Sequence, residues 1–356
     1  NLDFPRLMLR ADAMRHANGH VKAKEKVTNQ MMGRTDMLGT AATTTAPLAN
    51  KVLEAKPGSF VRKAVSALTG VSAVRLLPPY ARQRFSTWFK KRPKVTLGKS
   101  QGSVTVFPTC LVEYQVPQIG QDLVRVYERN GIECAHTEAD CCGAPWLHSG
   151  DIDKFTKVAR KNVTTLAAEV RKGTDIVVPQ PTCSYVIKQD YPDYVGGADA
   201  ELVAAHTYDA AEYLMKVHRE DKADGGEGLA RDFEGEVPET TTYHAPCHLR
   251  AQNVGLKSRD LIKLTGTKIT LVTECSGIDG TWGLREENMA ESRKVAAKMA
   301  KGIEAADSDV VAGDCSLANG GIRLETGADP VHPLTLMARA YGISEEDSAP
   351  GSGRGA

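Results

Sequence analysis

The chain has 356 residues, 41% hydrophobic and 25% charged, enough for two packed cores. It holds no apolar run near the roughly 20 residues of a membrane-spanning helix, and no secretory signal with a basic start and an apolar core. Eight cysteines are too few for a secreted disulfide scaffold, so they point to a reducing, cytoplasmic compartment and to metal-ligating or redox thiols.

The net charge of +1 conceals an uneven split. Residues 1–50 carry 7 basic and 4 acidic side chains, and residues 51–100 carry 12 basic ones against Glu54 alone, while the other 256 residues have a net charge of −13. Two regions with different partners are expected. The basic region reads as helical pieces over 7–17, 60–68 and 81–91, with a turn-rich Thr/Ala/Pro stretch at 43–47. Leu76, Leu77, Tyr80, Phe85, Trp88 and Phe89 interleave with Arg75, Arg82, Arg84, Lys90, Lys91 and Arg92. That pattern suits an anionic membrane surface met through residues 51–100, an acidic protein partner, or a plain solvated face. No nucleic-acid module accompanies the basic residues, so nucleic acid is not an expected partner.

From residue 103 short apolar strands alternate with amphipathic helices. Strands are expected at 103–108, 131–138 and 175–178, and helices at 118–130 and 151–171, the latter with Val158, Val163, Leu166 and Val170 at helical spacing. The second half repeats the order, with strands at 240–245, 268–273 and 309–311 and helices at 257–264 and 286–305. Between the halves, residues 222–236 are rich in Gly, Asp and Glu and read as a surface linker. The expectation is an α/β fold of two tandem pseudo-symmetric units, each a short parallel sheet flanked by helices, after a basic and mainly helical segment. The divisions are 1–100, 101–221, a linker at 222–238, 239–345, and a disordered tail at 346–356.

The cysteines repeat with the strands. Cys110, Cys141-Cys142-Gly143 and Cys183 answer Cys247, Cys275-Ser276-Gly277 and Cys315, with 30 and 27 residues before each triplet and 39 and 37 after its glycine. Each sulfur falls just past a strand end, the edge of an open α/β sheet where ligands bind. Thiolates gathered on one scaffold are what iron–sulfur clusters and zinc require. Cys134 has no counterpart and reads as a buried small hydrophobe. Gly143 and Gly277 are expected to let the backbone turn close to the site, and Trp146 and Trp282 to shield it from water. His244 and His248 flank Cys247 and read as hydrogen-bonding supports more than as ligands. There is no G-x-G-x-x-G fingerprint, P-loop, G-x-S-x-G elbow or H-E-x-x-H, so no catalytic residue is assigned.

The segments Tyr243-His244-Ala245-Pro246-Cys247-His248-Leu249-Arg250, Cys275 to Gly283, and Pro181-Thr182-Cys183 resemble the hallmarks of the cysteine-rich CCG domain family. That family includes iron–sulfur subunits of anaerobic glycerol-3-phosphate dehydrogenase and glycolate oxidase, and the B subunit of heterodisulfide reductase. The likeness covers about 101 to 345, and 76–81 with Phe85 and Trp88 looks like the segment before the first unit in the glycerol-3-phosphate type. Where the family pattern has further cysteines this chain has Val186, Ala318 and Ser276. The resemblance implies a 4Fe–4S cluster at Cys110, Cys141, Cys142 and Cys183, and a second site at Cys247, Cys275 and Cys315. A fourth position there is open to His244, His248, Ser276 or Asp314, unless that unit has lost its metal. The five-thiolate noncubane cluster of heterodisulfide reductase is not expected.

By the same resemblance the chain is an electron-transfer subunit, an oxidoreductase component at the inner face of the cell membrane. A partner flavoprotein would supply electrons and a quinone would take them. A heterodisulfide or thiol–disulfide reductase subunit and a zinc-stabilised binding module are the alternatives. Family members often carry a ferredoxin-like segment with C-x2-C-x2-C-x3-C runs, absent from this chain; with a start at Asn1, one is expected upstream.

Overall fold

In this computed structural model residues 4–97 and 100–343 are described, and the expected tail at 346–356 lies outside them. Short runs of β-branched residues become strands where both faces are covered. Val104, Val106, Ile176, Val177 and Val178 are fully buried, as parallel strands with helices on each side must be. The strands are β1 (Ser103–Val106), β2 (Glu133–His136), β3 (Asp175–Val178), β4 (Thr207–Asp209), β5 (Thr240–His244), β6 (Lys268–Val272) and β7 (Val310–Gly313). All pairings are parallel, in the orders β2-β1-β3-β4 and β6-β5-β7. The first three strands of each sheet therefore repeat one topology.

Expected and observed elements differ mostly by a residue or two at their ends, because fraying and capping decide termini. The long helix of the first unit is Ile152–Arg171, started by the Asp151 carboxylate accepting from the Lys154 N–H at 3.2 Å. Its counterpart, Met289–Ala306, begins only after a 3-10 turn at Glu286–Asn288. β4 has three residues, too few to show a period, and so carries no sequence signal; it leads through Asp209 and a capping box into the helix Ala210–Ala223.

Among the described residues six helices precede β1: Phe4–Ala17, Ala23–Gly33, Thr35–Thr44, Ala46–Leu53, Phe60–Thr69 and Phe85–Lys91. The second, third and fourth have no sequence signal because what they bury is small: Thr28, Asn29, Gly33, Gly39, Thr43 and Ala46. A Cβ at Gly33 would lie 2.4 Å from the Trp146 ring, and one at Gly39 2.4 Å from the Tyr114 ring. Close approach, not an apolar stripe, docks these helices. The expected turn at 43–47 narrows to Thr45 between two helices.

The interleaved stretch packs through its apolar side, while Arg82, Lys90 and Lys91 stay exposed. Phe85 is fully buried, with Trp88 and Phe89 packed against the same core. Arg75 is buried and donates to Ser292 Oγ at 2.7 Å, while Arg92 reaches Glu128 at 2.6 Å. The Ala73 N–H donates to Glu286 at 2.9 Å, and Val71 bridges Arg285. The first hundred residues thus lean on both units. The linker is tied down too: Leu229 is buried, and Phe233 stacks on Tyr341 at 5.1 Å.

The two units face each other at the carboxyl ends of their strands. Gln180 and Ser316 bond reciprocally, Gln180 Nε2 donating to Ser316 Oγ at 2.9 Å and the Ser316 N–H to Gln180 Oε1 at 3.0 Å. His332 Nε2 donates to the Pro179 carbonyl at 3.0 Å, and Gln252 reaches Pro181 and Ser184.

Candidate metal centre

The first three strands of the first unit each lead by a short connection to a cysteine. Cys110 follows β1 in the helix Thr109–Tyr114, Cys141 and Cys142 follow β2, and Cys183 follows β3 in the helix Pro181–Tyr185. The four thiols form a chain: Cys110 beside Cys141, Cys141 beside Cys142, and Cys142 Sγ donating to Cys183 Sγ at 3.1 Å. Cys141, accepting from both Cys110 and Cys142, is held well below the ordinary thiol range, and its two donors are pushed well above it. Each of these hydrogen bonds favours the Cys141 thiolate, the form that binds metal.

Asp36, on the helix Thr35–Thr44, closes one side. Its carboxylate accepts from the Cys141 N–H at 2.9 Å and is pushed up to about 6 by burial, then by the Cys141 charge. Asn162, fully buried, donates to the Cys141 carbonyl at 3.0 Å and to Tyr191 Oη, which itself donates to the Cys142 carbonyl at 3.0 Å. The triplet backbone is therefore fastened before any ligand arrives.

The thiols open into a cavity of about 340 Å³. Cys110, Cys141, Cys142, Cys183 and Cys315 line it together with apolar side chains of the N-terminal helices, among them Leu38, Val52 and Val65. Neither Cys247 nor Cys275 is among its lining residues. Asp36, Gln180, Thr182 and His148 at this place have no sequence signal, because nothing local marks a residue that meets its partner across a fold.

The second unit departs from its expected three-sulfur set. Cys247 and Cys275 stand together: the Cys247 thiolate is lowered to about 6 by the Cys275 thiol and helped by Arg250, whose guanidinium lies 3.6 Å from Cys247 Sγ. Cys315 instead lies at the first unit's cavity, where the thiol that acts on it is Cys183. Asp314 is taken by Tyr243 at 2.7 Å and by Ser258. His244 donates to the Glu274 carbonyl at 3.0 Å, His248 bonds Thr182 at 3.2 Å, and Ser276 is buried. Among the described residues no group of three or more His, Cys, Asp or Glu side chains is arranged around a single ion.

The triplet glycines are required for packing and turn shape. Gly143 has φ +86° and Gly277 φ +71°, and a Cβ on Gly277 would lie 2.2 Å from the Ser292 carbonyl. Trp146 is buried, but Trp282 is 38% exposed and does not shield the site. Cys134 packs in the first core.

A thiolate, not a thiol, attacks alkylating agents. In the reduced protein the exposed Cys247 should therefore label first with iodoacetamide, at a rate that rises through about pH 6 and levels off above it. Peptide mapping checks this; a rate still climbing at about pH 9 would place Cys247 in the ordinary thiol range.

The family CCG, described as a cysteine-rich domain, matches residues 104–188 and 241–318. The chain is 29% identical to the C subunit of the anaerobic glycerol-3-phosphate dehydrogenase of Escherichia coli (strain K12), over 89% of this chain and 78% of that protein. It is 28% identical to lactate utilization protein A of Geobacillus thermodenitrificans, over 65% of this chain and 96% of that protein. Among the described residues no helix is long and apolar enough to cross a membrane.

Proposed function

From the premise that this chain belongs to the proteins built on the cysteine-rich CCG domain, we propose that it is an iron–sulfur electron-transfer subunit. In this reading it relays electrons from a partner flavoprotein dehydrogenase, acting on glycerol 3-phosphate or a 2-hydroxy acid, towards a quinone. The observation that carries the reading is the convergence of Cys110, Cys141, Cys142 and Cys183, three of them buried, on one cavity. Four soft thiolates fit the donor set of an ordinary cluster. Bound there, a 4Fe–4S cluster would supply one-electron transfer. The protein's own share is to hold the sulfurs through Asn162 and Tyr191 and to keep water from them with the helices over Leu38, Val52 and Val65. Those apolar walls also suit a lipid-soluble acceptor.

Within the expected stretch 51–100, membrane docking is supported by the helix Phe60–Thr69. Among the described residues, eleven of the fourteen exposed large hydrophobic side chains lie before residue 96. The helix Phe60–Thr69 turns Phe60, Val61, Ala64 and Leu68 outward, within an arc of about 100°, and buries Arg62 and Ser66 instead. An apolar face pointing out of a segment with a surplus of basic residues suits the inner, anionic face of a cell membrane.

Iron and inorganic sulfide analysis of anaerobically purified protein, with electron paramagnetic resonance of the reduced form, tests the proposal. Iron and sulfide near stoichiometry and a visible absorbance bleached by dithionite are expected; a colourless zinc protein would defeat it. The Cys247–Cys275 pair favours the thiol–disulfide reductase as second reading. A disulfide compound that perturbs the reduced spectrum would select it.

A further inference from the structure

We propose that Cys315, which the repeat assigns to the second unit, is a ligand of the first unit's cluster, so that one five-thiolate site spans both repeats. This rests on the iron–sulfur reading of the cavity. Cys315 lines that cavity with Cys110, Cys141, Cys142 and Cys183. It caps the helix Ser316–Thr326 that follows β7, as Cys183 lies in the helix Pro181–Tyr185 that follows β3.

The two turns are clamped to each other. Gln180, buried three residues before Cys183, holds both the N–H and the hydroxyl of Ser316, the residue after Cys315. His332 fastens the neighbouring Pro179 from the second unit, and Thr182 bonds His248. These polar contacts join segments that each carry one cysteine.

Cys247 and Cys275 are excluded by the same geometry. They bond to one another, Cys247 on the surface beside Arg250, and two thiols do not complete a cluster. The loss of a triplet cysteine at Ser276 then has a structural reading: the second unit no longer encloses its own cluster, and its remaining inward sulfur serves the first. A fifth thiolate also reopens the five-cysteine donor set that the sequence, counted repeat by repeat, argues against.

The test uses the full chain purified anaerobically, with Cys315→Ser, Cys183→Ser, Cys247→Ser and Gln180→Ala. Cys315→Ser should lower iron per protein at least two-fold and shift the paramagnetic signal, as Cys183→Ser does, while Cys247→Ser keeps the wild-type values. Gln180→Ala keeps every sulfur and should lose iron to a chelator several-fold faster. Wild-type iron and an unshifted signal in Cys315→Ser would overturn the inference. Cobalt(II) titration of metal-free protein gives a second readout: thiolate charge-transfer intensity should fall in Cys315→Ser and not in Cys247→Ser. Iron-free wild-type protein would end the electron-transfer reading, and the cobalt comparison would still decide Cys315.

Discussion

Serine at Cys141 is expected to remove at least nine-tenths of the iron bound by the chain and its dithionite-sensitive absorbance with it. Cys141 is the middle sulfur of the thiol chain and accepts from both Cys110 and Cys142. A serine hydroxyl stays protonated at neutral pH and is a hard, neutral oxygen, so the centre of the donor set is lost. Cys134→Ser is the matched control: that thiol is buried in the first core and donates to the Ile132 carbonyl at 3.9 Å. It should cost stability but leave iron per folded protein unchanged. Equal iron in wild type and Cys141→Ser would remove the cluster from this place.

The second large effect concerns the outward face of the helix Phe60–Thr69. Phe60 and Leu68 are 86% and 76% exposed, so replacing both by aspartate breaks no core contact and should leave the fold intact. On vesicles containing anionic lipid, each apolar side chain removed costs on the order of 1 kcal/mol of insertion, and each new negative charge opposes the surface potential. Together these amount to roughly 3 kcal/mol, about a 100-fold weaker association in a sedimentation assay. Wild-type binding should also weaken as salt rises, because the basic contribution is screened. Indifference of wild-type protein to anionic lipid would transfer this face to a protein partner.

The strands and long helices of both units were legible because β-branched runs and amphipathic periods are local signals, and the repeat doubled them. β1 through β3 and β5 through β7 lie within a few residues of their expected places. The three helices between residues 23 and 53 were not legible, since what they bury is small, with Gly33 and Gly39 against the Trp146 and Tyr114 rings from far along the chain. The interleaved stretch at 75–92 was legible in part. Its charged residues look solvent-facing in sequence, yet Arg75 finds Ser292 and Arg92 finds Glu128, and paired arginines bury readily.

What the sequence determined by itself is the duplicated α/β unit, the seven cysteines that follow its strand ends, and hence a chemistry of gathered thiolates. Spacing along a chain carries that much because each turn after a strand is short. Only the tertiary structure decided which sulfurs share a cavity. The two repeats meet at their strand ends, so contact across the interface through Gln180, Ser316 and His332 overrides membership of a repeat. Cys315 lines one cavity with Cys183, and Cys247 and Cys275 are left to each other.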